Sequence, residues 1–451
     1  MAGGSVRGPA GAGDAGAEGG RRAARTGRRA APGRRRAAPG RRRADAVPAL
    51  DTAVAGLVVK VGDYPLHHGG LGAVRSLGRA GVPMYALTED GWTPAARSRY
   101  LREALVFPTS GREPAEALTT GLLRAARRIG GPAVLFPTDE EAAVLIAEHQ
   151  PLLADHFLFP RVPPGLPRRL ASKQGLHELC AEHGVPSPAG AAPRTRDELL
   201  AYADRARYPL VAKNREAYQR RSAPAVDGTT LVAHREHLLR LARGWAEDPG
   251  VVLQEYLPRE DAEDWIVHAY VDADAAVRVL FTGVKMRSWP PHAGMTAAAC
   301  TVDNPELAEL SARFAKLVGF AGILDLDWRH DRRDGRYRLL DFNPRMGAQF
   351  RLFEDDAGVD VVRAQHLDLT GRPVPSGGQS RRRRFVVEHV DAAARLAYLG
   401  SDYRAPHATS RADRTELAWA ASDDPLPAAL MAARLVRPGA RHLWRLWRAR
   451  R

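Results

Sequence analysis

The sequence predicts an α/β protein whose catalytic part is α+β, and three observations carry that expectation. Residues 54–87 read as strand, helix and strand in turn. Two acidic strands, Ile323 to Arg329 and Tyr337 to Phe342, flank the polar turn HDRRDGR, whose chemistry reverses a chain. The chain has 451 residues, 45% of them apolar, enough for about two to four ordinary cores.

Charge and cysteine content narrow the class. Two cysteines, Cys180 and Cys300, exclude a disulfide framework, and neither has a second Cys or a His at metal-ligand spacing. A reducing, cytoplasmic location is the expectation. No run of about twenty apolar residues marks a membrane span, and the first residues lack the apolar stretch of a secretory signal. The formal net charge of +15 belongs to the ends: residues 1–46 hold 12 Arg against three acids, and residues 434–451 hold seven Arg and no acid. The body between them is almost neutral, so the basic character says little about central chemistry.

Residues 1–46 repeat Ala, Gly, Pro and Arg and lack the apolar side chains that would offset ordering entropy, so they read as a disordered arm. No aromatic residue interleaves with the arginines to stack on bases, which disfavours nucleic acid as the arm's partner. From 47 to 165 the alternation predicts a small parallel-sheet domain. Its strands are Val54 to Val61, Pro83 to Leu87 and Ala133 to Pro137; its helices are Ala73 to Ala80, Pro114 to Ile129 and Asp139 to His149. The turn His67-His68-Gly69-Gly70-Leu71-Gly72 presents backbone N–H groups at a helix start, a place for an anion such as a substrate carboxylate. It is not a G-x-G-x-x-G fingerprint, which argues against a nicotinamide cofactor.

The four prolines of Pro160 to Pro167 read as a linker. A part from 166 to 250 follows, with a helix opened by Ser172-Lys173, a helix from Asp197 to Arg207, and the strand Tyr208 to Lys213 ending in a lone lysine. The polar loop from Asn214 to Thr230 carries Arg215, Arg220 and Arg221, which could close over polyphosphate. A part from 251 to 375 opens with the strand Val251 to Leu257, with Asp261 and Glu263 beyond it. The hairpin Trp265 to Val271 with Ala276 to Thr282 comes next, then Lys285-Met286-Arg287-Ser288 and the helix Asn304 to Leu317.

This helix leads into the acidic strands. Alternation there puts Ile323, Asp325, Asp327 and Arg329 on one face and Leu324, Leu326 and Trp328 on the other. Asp341 and Asn343 share a face of the second strand, and the hairpin brings Asp327 alongside them. Two carboxylates and an amide oxygen make a hard, all-oxygen site for Mg²⁺, with Mn²⁺ as its substitute. A solvated surface hairpin is the structural alternative.

Taken in this order, the parts from about 50 to 375 resemble the ATP-grasp ligases, and within them the carboxylate–amine ligases of bacteria. The resemblance rests on the small amino-terminal α/β domain, Tyr208 to Lys213, Gln254 to Leu257, and the paired acidic strands ending in Asp341-Phe342-Asn343-Pro344-Arg345. It implies that Lys173 and Lys213 hold ATP phosphates. Gln254, Glu255, Tyr256 and Leu257 would meet adenine, and Asp261 or Glu263 the ribose hydroxyls. By the same resemblance Asp327, Asp341 and Asn343 bind the metal, Arg345 stabilises a phosphorylated carboxylate, and Lys285 with Arg287 faces the acid substrate. A small carboxylic acid and an amine are the implied partners, with ADP and phosphate as products; a homodimer is also in keeping with the family. Two departures stand out: Asp341 sits where the family usually has Glu, and the loop after Lys213 has arginines in place of a glycine-rich run.

Residues 376–451 form the remaining part. Phe385 to Tyr398 alternates and then turns helical, and should pack back on the body. The end, ARHLWRLWRARR, has Leu443, Trp444, Leu446 and Trp447 at helical spacing among arginines. That pattern suits an interfacial helix on anionic lipid, which would make the protein peripheral at a membrane, and equally a basic helix docked on its own domain. A fold that binds through its basic ends without turnover is the alternative to a ligase.

Overall fold

A computed structural model describes residues 48–216, 224–226, 228–258, 261–291, 294–399 and 411–435. The arm 1–46 and the ARHLWRLWRARR end lie outside the described residues, as do Arg220 and Arg221. The described residues form one compact unit.

Its first layer is a five-stranded parallel sheet in the order β3-β2-β1-β4-β5. The strands are β1 (Ala55–Val59), β2 (Met84–Thr88), β3 (Leu101–Val106), β4 (Ala133–Pro137) and β5 (Phe157–Leu158). β1 and β4 are almost wholly apolar and buried, as central parallel strands between helices must be. Helices α1 (His68–Gly78), α2 (Ala115–Ile129), α3 (Glu140–Glu148) and α4 (Gln150–Leu153) connect or follow them. Sequence reading had missed β3 and β5, because both are short or only half-buried and show no clean alternation.

One expectation is corrected here. The Gly-rich turn was expected to run to Gly72, but α1 begins at His68, with His67 Nδ1 capping it by accepting from Gly70 N at 3.0 Å. The glycines serve close packing: a Cβ on Gly69 would sit 2.8 Å from Ala348 Cα, and one on Gly72 3.0 Å from Phe350.

Next come α5 (Leu166–Ala171), α6 (Lys173–Glu182), the short strand β6 (Gly190–Ala191) and α7 (Arg196–Arg205). Ser172 and Thr195 cap α6 and α7 through their hydroxyls, each accepting from the third residue on. A small antiparallel sheet, β6-β9-β7-β8, contains β7 (Leu210–Asn214), β8 (Thr229–Val232) and β9 (Val251–Glu255), with α8 (Arg235–Leu241) packed against it. Because β9 pairs with β7, the strand that opens the expected 251–375 part lies in the same sheet as the one before it.

The largest sheet has seven strands in the order β14-β13-β10-β11-β12-β15-β16. They are β10 (Ala262–Val271), β11 (Val277–Trp289), β12 (Met295–Thr301), β13 (Gly322–Asp331), β14 (Arg336–Asn343), β15 (Arg383–Val386) and β16 (Arg414–Leu417). Helix α9 (Pro305–Leu317) joins β12 to β13, α10 (Val361–Leu369) follows β14, and α11 (Glu388–Tyr398) follows β15. Thus β15 and β16, from the carboxyl part, extend this sheet, and Phe385, Val387, Val390 and Ala394 join its core, as the alternation around Phe385 required.

The two faces of this sheet divide the labour. Trp265, Val267, Leu324, Leu326 and Trp328 pack on one side with α5, α6 and α9, and Trp328 is fully buried. On the opposite face Ile266, Tyr270 and Ile323 pack toward α1 and α10, and the polar residues Asp264, His268, Asp325, Asp327 and Arg329 occupy the same period-two positions. A run of core residues on alternate positions thereby fixes where every carboxylate points.

Candidate active site

The hairpin β13–β14 sets the geometry. Asp325 is paired with Asn343 and Asp327 with Asp341, but the register shifts after Asp327, so Trp328 faces Leu339. This bulge lets Leu339 turn into the core beside Trp328 while Asp341 stays on the carboxylate face. Without it, Leu339 and Asp341 would share a side.

Each carboxylate meets a partly buried lysine. Lys285 Nζ lies 2.7 Å from Asp327 Oδ1, and Lys173 Nζ is in direct contact with Asp341 Oδ1. These two oxygens are buried, and the ammonium groups are the partners that satisfy them among the described residues. Among the described residues there is no group of three or more His, Cys, Asp or Glu arranged around a common metal position. Two carboxylates with the Asn343 amide are instead the sparse oxygen set that Mg²⁺ accepts when substrate phosphates complete its shell. The donor set therefore fits that ion, and Mn²⁺ by the same hard-oxygen chemistry.

Two cavities meet at this pair. The smaller, about 180 Å³, is lined by Lys213, Gln254, Glu255, Tyr256 and Leu257, with Asp264 and Arg329. The larger, about 590 Å³, is lined by Lys173, Asn343 and Arg345 on one side and His67, His68 and His389 on the other. Lys285, Asp327 and Asp341 belong to both.

Burial sets the charge of these groups. It lowers the Lys213 ammonium to about 7, helped by the nearby charges of Lys173 and Arg329, and lowers Lys173 to about 8. Lys285 is equally buried, but the carboxylates of Asp327 and Asp264 outweigh that and raise it. Burial holds His67 near 4 and His68 near 3, so both imidazoles are neutral at pH 7. The Asp325 carboxyl, beside His268 and Arg345, lies well below the usual range in spite of its burial.

Most expected site residues converge here, and three do not. Arg287 is committed to Asp391 of α11 at 2.6 Å, since the bulges after Lys285 in β11 turn it away from both cavities. Glu263 lies one step along β10 from Asp264, hence on the other face, beside Arg332 at 3.5 Å. Asp261 lines neither cavity; its backbone carbonyl accepts from Arg332 N. In their place the fold brings Asp264, paired with Arg329 at 2.7 Å, to the smaller cavity. Arg329 also donates to the Leu257 carbonyl at 3.2 Å, fixing the strand that forms the cavity wall. Of the residues that sequence reading missed, Asp325 and Arg329 carried a signal, the face they share with Asp327. Glu140 and His389 carried none, because they arrive from other elements, whereas His67 and His68 belong to the turn expected to meet a substrate carboxylate and do line the larger cavity.

No family model matches the chain. A D-aspartate ligase of Enterococcus faecium (strain Aus0004) is 24% identical over 228 residues, which is 48% of this chain and 53% of that protein, so the chain spans about half the length of the curated relative it matches. Among solved structures, N5-carboxyaminoimidazole synthetase from Staphylococcus aureus covers 73% of this chain and 81% of its own, with TM-score 0.54 and 12% identity. The biotin carboxylase domain of the Hydrogenobacter thermophilus 2-oxoglutarate carboxylase, solved as a dimer with ADP, its magnesium salt and bicarbonate, covers 72% and 71%, with TM-score 0.51 and 16% identity. At such identities these likenesses speak for the fold.

Proposed function

We propose that this chain, which has the ATP-grasp fold, is an ATP-dependent ligase that activates a small carboxylic acid and couples it to an amine. The observation that carries this reading is the meeting of two cavities at Asp327 and Asp341, with buried cations on both sides. The smaller cavity suits a nucleotide, with Gln254 to Leu257 along the base. Lys213 and Lys285 point at its phosphates, where compact ammonium groups offset several negative charges. The larger cavity exceeds the size of a small acid alone and leaves room for the amine beside it.

The chemistry follows from this placement. A carboxylate is a poor electrophile. Its oxygen attacks the γ-phosphorus, ADP leaves, and an acylphosphate forms; the amine then attacks the acyl carbon, the C–O bond to phosphate breaks, and the amine proton goes to solvent. Asp327, Asp341 and Asn343 would hold Mg²⁺, which when bound neutralises charge on the transferring phosphoryl group. Lys173, Lys213 and Lys285 add fixed positive charge, and Arg345 donates toward the new acylphosphate. The neutral His67, His68 and His389 line the far wall, where they add no cationic charge beside an incoming amine.

The first test is ADP and phosphate release with Mg²⁺ across a panel of small acids offered with amine acceptors. Because the curated relative is a D-aspartate ligase, both enantiomers of acidic and neutral amino acids belong in the panel. Acid-dependent release that disappears in Lys213→Ala and Asp341→Ala supports the reading; release that survives both substitutions refutes it. A homodimer is part of the same proposal, checked by sedimentation. Among the described residues no helix is long and apolar enough to cross a membrane.

A further inference from the structure

Arg345 is tied at both ends of its guanidinium. Its Nε donates to Glu140 Oε1 at 3.1 Å, Nη2 lies 2.8 Å from the same oxygen as an ion pair, and Nη1 donates to Asp325 Oδ2 at 2.8 Å and to the Met346 carbonyl at 3.3 Å. Three of the five N–H groups thus donate, and Nη2, though in ion-pair contact with Glu140, donates no hydrogen bond among the described residues. Glu140 comes from the first turn of α3, in the amino-terminal sheet layer, whereas Asp325 comes from the metal hairpin. Both flank the larger cavity that Arg345 lines.

Asp325 is itself held. Its Oδ1 lies 3.2 Å from Nε2 of the fully buried His268, and Asn343 Nδ2 donates to its backbone carbonyl at 3.1 Å. The space is closed from the other side by Gly347, where a Cβ would come within 2.1 Å of His268 Cε1 and 2.7 Å of Asp325 Oδ2. The chain spends a glycine two residues after Arg345 to keep this packing.

We infer that Glu140 and Asp325 form a two-sided clamp that fixes the Arg345 guanidinium so that its Nη2 group faces the phosphoryl group being transferred. The inference rests on the reading of the site as an ATP-dependent ligase. Two carboxylates and one guanidinium leave the clamp with one net negative charge, so it cannot attract phosphate as a field. Its contribution is geometric: a long, flexible side chain is frozen before substrate arrives, and the Nη2 group costs little further to orient. Glu140 and Asp325 are positioning residues, and the amino-terminal layer is part of the catalytic apparatus through Glu140.

This reading makes a prediction opposite in sign to simple electrostatics. Replacing Glu140 by Gln removes a negative charge near the phosphates, which by charge alone should tighten their binding. A clamp predicts loosening. The measurement is calorimetric binding of magnesium ADP to the full chain with and without aluminium fluoride, a mimic of the transferring phosphoryl group that needs no knowledge of the acid. Fluoride should tighten ADP binding in the wild type. Arg345→Ala and Glu140→Gln should each lose tenfold or more of that tightening with ADP affinity alone unchanged, and the double variant should lose no more than Arg345→Ala. Tightening that is unchanged or improved in Glu140→Gln, or losses that multiply in the double variant, overturns the clamp. So does magnesium ADP binding by the wild type with no response to fluoride. Failure of the wild type to bind magnesium ADP at all overturns instead the nucleotide reading on which the clamp rests. Asp325→Asn should behave like Glu140→Gln; since Asp325 is almost fully buried, its folding is checked by circular dichroism, and the more exposed Glu140 decides the question where that variant does not fold.

Discussion

ATP binding should draw protons onto the protein, and Lys213 should take most of them. Burial and the charges of Lys173 and Arg329 hold its ammonium near 7, against an ordinary 10.5. At pH 8 such a group is only ~10% protonated. A triphosphate beside it restores a value above ~9, so binding takes up ~0.8 proton at Lys213. Lys173, lowered by burial to about 8, is about half protonated at that pH and adds ~0.4. The assay is calorimetric titration of magnesium ATP in two buffers of different ionisation enthalpy, whose difference gives the proton count. Lys213→Arg, permanently charged, should lower uptake at pH 8 by ~0.8 proton. At pH 6, where both lysines are already charged, uptake by either should fall to near zero. A change of less than ~0.2 proton on Lys213→Arg at pH 8 would refute the idea that this lysine is desolvated and faces phosphate. The same shift gives a sign for stability. Between pH ~7 and ~10.5 the unfolded chain holds the Lys213 proton and the folded one does not, so stability from this group rises with pH across that window, and the cost is fully present below it.

Further expectations follow from other parts of the structure. Asp327→Asn should raise the Mg²⁺ concentration needed for half-maximal ADP release tenfold or more, since Asp327 is one of the two carboxylates in the proposed donor set; an unchanged requirement places the ion elsewhere. Arg75 and Asp424 form a buried ion pair at 2.9 Å that ties α1 to the carboxyl segment, with Ser98 Oγ also on Asp424 at 2.7 Å. Asp424→Ala leaves the guanidinium buried without its partner and should cost about 3–5 kcal/mol in urea unfolding. Gly347→Ala forces a Cβ into His268 and Asp325, so a loss of about 1–3 kcal/mol is expected; a neutral result would mean that the two side chains have room to shift. The Asp331 carboxyl is lowered to about 2, chiefly by a hydrogen bond from Arg333. Its stabilisation is present above the ordinary value near 3.8 and lost as pH falls through 2, and acid unfolding of Asp331→Asn should be shallower over that range.

How much of this was legible in the chain depends on the range of the forces involved. Period-two alternation in Ile323 to Arg329 placed Asp325, Asp327 and Arg329 on one face, because the apolar partners Leu324, Leu326 and Trp328 had to go to the core. The helix starts at Ser172 and Asn304 were readable because an N-cap is a contact within three residues, whereas the helix read from Asp197 begins at Arg196 under a Thr195 cap. Local chemistry misled where a residue had two uses. Gly69, Gly70 and Gly72 look like a loop by composition, yet they lie within a helix that must approach Ala348 and Phe350 closely. Arg287 sits in register with Lys285 on paper, and a bulge sends it to Asp391 instead.

The sequence by itself determined the layers, the faces of the acidic hairpin, and the hard-oxygen character of Asp327, Asp341 and Asn343, since these follow from alternation, turns and side-chain type within a few residues. Only the tertiary structure decided what surrounds them. Register shifts in β11 and between β13 and β14 chose which cations and which leucine face the site. Chain segments 205 residues apart brought Glu140 to Arg345, and removal from water set the charge on Lys213 and the histidines. Those outcomes depend on the packing of distant elements and the desolvation that comes with it, to which local sequence is blind.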